Sequence, residues 1–402
     1  MNLKQVILLL VALIVIGGAG LVLLNRNEQS WNSAGGKLGE KVLPNFQVND
    51  VAAIEIKGTT DVDLVKKEDR WRVQQRNDYP ANFSEISDLL LKMADLKIAQ
   101  AEPIGPSQLG RMQLAQPGSG PDSATLIEFK DAQGKDLQSL LLGKKHTRKA
   151  DRPSPYGDSE MPDGRYIMLK SNPDEMLTIS DPLTSVDAQP SGWLDRNFFK
   201  IEKPKTISFV STNAADSWAL SRQSDTGPWV LADVKKGEAL DTNKVTSLAG
   251  AFSYPSFVDV VTDTAPARTG MDKPLVVTIT TFDYFTYTLK IGAKTAANDY
   301  DLTVDVAADF PKEWSTPNET ATDKKKIDQV FADKFKPLQD KLQQEKALQG
   351  WTYLVNNWLI DPIIRKRAQL MVEKIAEKKE AASPEPAPTD ASPLPSADSN
   401  SQ

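Results

Sequence analysis

Two stretches of this chain carry the same order of short apolar segments, and a chain that repeats itself must fold as related units. The first opens at Val51-Ala52-Ala53-Ile54-Glu55-Ile56, where partly alternating polarity marks a strand. Val62 to Lys66 and Trp71-Arg72-Val73 follow. Asn82 with Glu85 three residues on has the form of a helix-start capping pattern. Ile86, Leu89, Leu90, Met93 and Leu96 then recur at helical spacing. The second stretch opens at Thr206-Ile207-Ser208-Phe209-Val210 and runs through Trp218-Ala219-Leu220 and Trp229-Val230-Leu231. Asp241 stands where Asn82 stood, and Val245, Leu248, Ala249 and Phe252 match Ile86, Leu89, Leu90 and Met93 at one constant offset.

Each stretch continues alike. Ala124 to Phe129 leads to Leu140-Leu141-Leu142-Gly143-Lys144, and Leu275 to Ile279 leads to Leu289-Lys290-Ile291-Gly292-Ala293-Lys294. Tyr166 to Leu169 closes the first copy and Leu302 to Val306 the second. The expected fold class is α+β, with duplicated sheet-plus-helix units. Residues 45–181 form the first α/β unit, 182–203 a connector and 204–318 the second α/β unit. Trp71 and Trp229, in strands beside an apolar helix face, are expected to fill the sheet–helix core.

Val6 to Leu24 is a run of 19 residues without a charge. As a helix at about 1.5 Å per residue it spans roughly 28 Å, close to the thickness of a bilayer core. The apolar run continues past the small residues Gly17 to Gly20, which argues for an uncleaved anchor over a signal peptide. Residues 1–26 are thus read as a single-pass membrane anchor and 27–44 as a stalk. The few flanking lysines and arginines do not set the orientation. A short N-terminal tail before a long domain is the usual signal-anchor layout, which places the domain outside the cytoplasm.

Residues 319–380 are expected to be helices, broken at Pro337, Gly350 and Pro362. Trp351, Leu354, Val355, Trp358 and Leu359 read as one apolar stripe, followed by Arg365, Lys366 and Arg367. Between Asp323 and Glu380 there are 13 Lys and Arg against 9 Asp and Glu. A tryptophan stripe beside basic residues suits either protein packing or an anionic membrane surface. Residues 381–402 are Pro, Ala, Ser and Asp-rich without periodicity, the composition of a disordered tail.

Composition removes several classes of chemistry. The formal net charge is −6 and the isoelectric point about 5.2, against a nucleic-acid binder. The chain has no cysteine, which excludes disulfides, thiolate metal sites and cysteine nucleophiles. His146 is the single histidine. No Walker-type loop, G-x-G-x-x-G, nucleophile elbow or S-x-x-K pair is present. Two clusters remain. Lys144, Lys145, His146, Arg148, Lys149 and Arg152 form a basic run after a strand, able to hold a phosphate or an acidic partner or simply to be a solvated loop. Asp299, Asp301, Asp305 and Asp309 would share one face of a continuous strand, where carboxylates could meet a hard cation or simply form an exposed acidic edge, and no glycine-centred calcium loop accompanies them. Neither cluster implies a catalytic residue, a resident metal or a cofactor.

The motifs Ile54-Glu55-Ile56, Trp71-Arg72-Val73, Leu89-Leu90-Leu91-Lys92-Met93, Leu141-Leu142-Gly143-Lys144 and Trp193-Leu194-Asp195-Arg196-Asn197-Phe198-Phe199 occur in that order. In this order and over Val51 to Val306 the chain resembles the bacterial family called domain of unknown function 4340. The resemblance implies an N-terminal membrane helix and a place near gliding-type ABC transport proteins, and it carries over no catalytic residue. The expected function is a non-enzymatic accessory protein of the cell envelope that binds a subunit of such a membrane complex. A stand-alone glycan or peptide binder is the alternative, and a carboxylate-based hydrolase the third reading.

Overall fold

A computed structural model describes residues 37–149, 160–311 and 321–372. The anchor expected at Val6–Leu24, the stalk before residue 37 and the tail 381–402 lie outside the described residues. Among the described residues no helix is long and apolar enough to cross a membrane.

The first sheet is built around β1 (Ala53–Lys57), paired on one side with β2 (Asp61–Lys67), then β3 (Arg70–Val73) and the short edge strand β4 (Tyr79–Pro80). Helix α1 (Phe83–Asp95) follows, and β5 (Ile98–Pro103) crosses to the far edge. The strands β6 (Thr125–Lys130), β7 (Asp136–Lys149), β8 (Glu160–Leu169) and β9 (Glu175–Ile179) fill the space between. The order is β4-β3-β2-β1-β6-β7-β8-β9-β5, antiparallel throughout.

The second sheet starts from β10 (Pro204–Val210), β11 (Trp218–Ser221) and β12 (Val230–Leu231). Helix α2 (Thr242–Gly250), β13 (Asp259–Val260) and the short helix α3 (Pro266–Thr269) follow. Then come β14 (Leu275–Thr281), β15 (Phe285–Lys294), β16 (Asp299–Ala308), helix α4 (Ala321–Lys346), β17 (Tyr353–Asn356) and the one-turn helix α5 (Asn357–Ile360). Its order is β12-β11-β10-β14-β15-β16-β17-β13, again antiparallel. The two sheets therefore share one strand order, and among the described residues the second has no counterpart of β4.

This architecture corrects the α+β expectation. The described protein is mostly β, two large antiparallel sheets with few helices. Two local misreadings account for the difference. The basic run at 144–149 is not a loop: β7 continues through it against β8, with His146 opposite Gly164 and Arg148 opposite Met161. The C-terminal segment is also not helical on both sides of Gly350, and the helix before it runs through Pro337, where a break was expected. Gly350, with φ of 85°, follows α4, and Tyr353–Asn356 becomes β17 inside the second sheet. A short apolar run such as Tyr353-Leu354-Val355 fits either period, and tertiary pairing decided for the strand.

Alternation explains the burial. Ile54 and Ile56 of β1, Val62 and Leu64 of β2, and Ile127 and Phe129 of β6 are all fully buried. They meet Ile86, Leu89, Leu90 and Met93 of α1. Each such side chain contributes about 1.5–3 kcal/mol of transfer free energy. The outer face of β6–β8 carries a second small core, in which Leu126, Leu141 and Met168 lie under Ile104 and Leu114. The sheets are joined by Arg76, whose guanidinium forks onto Asp259 with both contacts at 2.7 Å. Tyr79 adds edge contacts to Phe257, Trp351 and Tyr353.

Candidate functional site

The two helices start alike. Asn82 accepts hydrogen bonds from the N–H groups of Ser84 and Glu85, and Asp241 from those of Asn243 and Lys244. The entering chain is tied down alike as well. Ala81 bridges Leu194 in the first unit and Leu240 bridges Met371 in the second. Asn82 N–H donates to the Trp193 carbonyl, and Asp241 N–H to the Leu370 carbonyl, at 2.8 and 2.9 Å. The segment after β17 thus plays the part in the second unit that the inter-unit connector plays in the first.

Helix α1 carries large apolar side chains at three positions where α2 does not, of which only Leu90 is buried in the first unit, Phe83 and Leu91 being exposed. Phe83, Leu90 and Leu91 of α1 are replaced at the same offset by Thr242, Ala249 and Gly250 of α2. In the first unit Leu90 and Trp71 are buried, at 5% and 7% exposure. In the second, the lost side-chain volume leaves a cleft of about 440 Å³. Trp229, Leu240, Val245 and Ala249 supply its apolar walls, and Thr242 and Thr246 lie on its helix side. Trp229 is only half-buried.

Arg222 forms the rim, its guanidinium 4.8 Å from the Trp229 ring centroid. It is fully engaged, with Nε donating to the Pro204 carbonyl at 2.6 Å and Nη2 to Asp225 at 2.7 Å. The lining holds no carboxylate, imidazole or lysine. Such a surface can accept an apolar side chain against an aromatic wall; it offers no acid, base or activated nucleophile.

A backbone difference accompanies the cleft. In the first unit Ala81 N–H donates to the Trp71 carbonyl at 2.9 Å, so β4 closes the edge of β3. In the second unit no such bond is present among the described residues, and Arg367 bridges the end of β12 and the equivalent segment. Its guanidinium donates to the carbonyls of Ala232 and Asp233 and to Glu238. That ion pair holds the Glu238 carboxyl below its ordinary pKa. β12 is left as an edge strand.

The residues singled out from sequence fall elsewhere. Lys144, Lys145 and His146 are exposed on β7, and His146 Nδ1 lies 2.5 Å from Asp163. Arg148 and Lys149 sit farther along the same strand, and Arg152 lies outside the described residues. Below them, Arg165 is buried with its guanidinium on the carbonyls of Gly143 and Leu183, and burial pushes its pKa down to about 10. Asp299, Asp301 and Asp305 share β16. Asp301 meets Arg268 at 3.4 Å and Asp305 meets Lys290 at 3.4 Å. Burial raises the Asp301 carboxyl, with Arg268 opposing it. Among the described residues no three acidic or histidine groups are placed to hold a metal.

The C-terminal candidates mostly tie the chain to its own domain. Trp351 packs on Tyr79, the Arg365 carbonyl accepts from Trp218 Nε1 at 2.7 Å, and Lys366 pairs with Asp216. Trp358 alone of that stripe is largely exposed, at 56%. The cleft was missed because Trp229 was read as a core aromatic. The signal was the replacement of Leu90-Leu91 by Ala249-Gly250 at the constant offset.

No curated protein matches the chain, and no solved structure matches it. Residues 155–274 match one family model, described as Domain of unknown function (DUF4340). That span is narrower than the resemblance read from the motifs. It covers β8, β9, the connector and the second unit up to Pro274, just before β14, and so includes the cleft. Over this region the chain resembles the DUF4340 family.

Proposed function

We propose that this chain is a non-enzymatic, membrane-anchored accessory protein of the bacterial cell envelope, which recognises a subunit of an ABC-type transport or gliding-type complex through the Trp229 cleft. The apolar run Val6–Leu24 would hold it in the inner membrane, with the sheets on the periplasmic side. One observation carries the recognition reading. A scaffold used twice is filled at Leu90 and opened at Ala249, and the opened copy presents aromatic and aliphatic walls without a reactive group.

Ala249→Leu restores the side chain that fills the first unit and is the direct test. Affinity purification of the full chain after mild detergent extraction should recover a membrane-complex subunit with the wild type and lose most of it with A249L. Equal recovery by both proteins would remove the cleft from the reading. Recovery of no membrane-complex subunit by either would turn attention to a soluble envelope glycan or peptide, for which the partly exposed Trp229 ring is the natural stacking surface.

A further inference from the structure

The main-chain hydrogen bonds of β12 alternate in direction. Ala232 N–H donates to the Ala219 carbonyl, and Val230 lies opposite Ser221, so these residues face β11. Trp229 and Leu231 therefore point their N–H and C=O groups outward, and among the described residues nothing bonds to them. In the first unit the same outward groups are taken. Ala81 bonds to Trp71, Tyr79 lies opposite Val73, and Pro80 between them directs its missing N–H away from the strand. The open edge calls for an extended segment with the same alternation. A residue placed opposite Trp229 or Leu231 would project its side chain from the same face as theirs, into the cleft.

The chain carries such a segment. The described residues end at Val372, whose N–H donates to Ala239, next to the cleft residue Leu240. The residues from there to Leu394 number 22 and reach about 70 Å when extended. Leu394 is the one leucine, isoleucine, valine, methionine or aromatic residue after Ile375, and it stands between Pro393 and Pro395. Proline at 395 biases Leu394 towards extended backbone, which reduces the entropy lost on docking. Both prolines would occupy outward positions, where no N–H is needed, as Pro80 does.

We infer that Ser392-Pro393-Leu394-Pro395-Ser396 docks on the edge of β12 as an added strand, with the Leu394 side chain in the Trp229 cleft, so that the chain covers its own recognition site until a partner displaces the tail. As regulation the inference rests on the recognition reading above; as a contact it stands on the edge strand, the cleft and the position of Val372.

The test is hydrogen exchange by mass spectrometry on the full chain, read over residues 229–232, for the wild type, Leu394→Asp, Ala249→Leu and a chain ending at Glu380. No described strand or core residue comes from the tail, so L394D should leave the fold of both sheets alone. The wild type should exchange about tenfold more slowly there than the three variants. A peptide of residues 387–397 added to the shortened chain should restore the protection. The wild-type protection should be the same at any protein concentration. Equal exchange in wild type and L394D would overturn the inference, and so would protection that grows with protein concentration, which would place the tail of a second copy in the cleft. The two readings fail separately. Unprotected β12 with A249L still losing the membrane subunit removes only the tail. Protected β12 with A249L still recovering that subunit removes only the recognition reading.

Discussion

At the scale of single residues, the shared Leu-Gly-Lys and Ile-Gly-Ala-Lys motifs have a steric explanation. A Cβ at Gly143 would lie inside the van der Waals surface of the Met112 carbonyl oxygen, and one at Gly292 inside that of Thr269. Both sites sit at register shifts in paired long strands, β7 with β8 and β15 with β16. Gly143→Ala and Gly292→Ala should each lower stability to denaturant by about 1–3 kcal/mol, while Gly192→Ala, with open space around it, should change little. Equal effects at all three would refute the close-approach argument. A second residue-scale prediction concerns Glu345 on α4. It is buried and accepts from the Lys200 N–H at 2.9 Å and the Tyr287 hydroxyl at 2.8 Å. Burial raises its pKa above the ordinary 4.5, with the hydrogen bonds and Lys341 opposing. The folded state thus holds this proton more tightly than the unfolded one, so the contribution is favourable below about pH 4.5 and declines as pH rises through the folded value. Glu345→Gln removes that dependence. Its melting temperature relative to wild type should rise between pH 4 and pH 7, and a constant gap would contradict the assignment.

At the scale of elements, the cleft is a packing difference between α1 and α2 and can be reversed in both directions. Ala249→Leu should stabilise the protein by about 1–2 kcal/mol by covering the Trp229 wall. Leu90→Ala should destabilise it by about 2–5 kcal/mol, since the cavity opens in a filled core. Denaturant unfolding of the two variants reads both numbers, and a loss of stability in A249L would mean that the cleft is too narrow for a leucine. Much of this was visible in the sequence. The capping residues Asn82 and Asp241 and the apolar helix positions were legible because helix period and cap chemistry are local. The strand character of 144–149 was not, because the register of β7 on β8 depends on a partner strand beginning at Glu160. β17 was hidden for a related reason. Its pairing partners β16 and β13 are distant in sequence, and a 26-residue helix intervenes after β16. The charge ladder of Glu55, Lys57, Glu128, Lys130 and Lys170 was equally invisible, since those residues meet only when β1 and β6 pair in register.

At the scale of the whole molecule, the two sheets meet at a polar and aromatic join. Arg76 and Asp259 are each about four-fifths covered at the join, and Tyr79 meets Phe257, Trp351 and Tyr353 beside them. Arg76→Ala and Asp259→Ala should each cost about 1–3 kcal/mol, and a double-mutant cycle should show coupling of at least about 0.5 kcal/mol. Additive effects would mean that the ion pair does not couple the sheets. The second sheet is completed by β17, and the segment after it secures the entry to α2, so the open cleft depends on chain drawn from far along the sequence. If this cleft is where the protein meets its partner, cross-linking with mass spectrometry on native membranes will show it, using Lys235 and Lys236 on the exposed loop beside the cleft. These lysines should cross-link to a membrane-complex subunit in the wild type, with the yield reduced about tenfold or more in A249L. Cross-links of equal yield in A249L, or cross-links to that subunit arising only from Lys144 and Lys145 on β7, would contradict a partner site at the cleft.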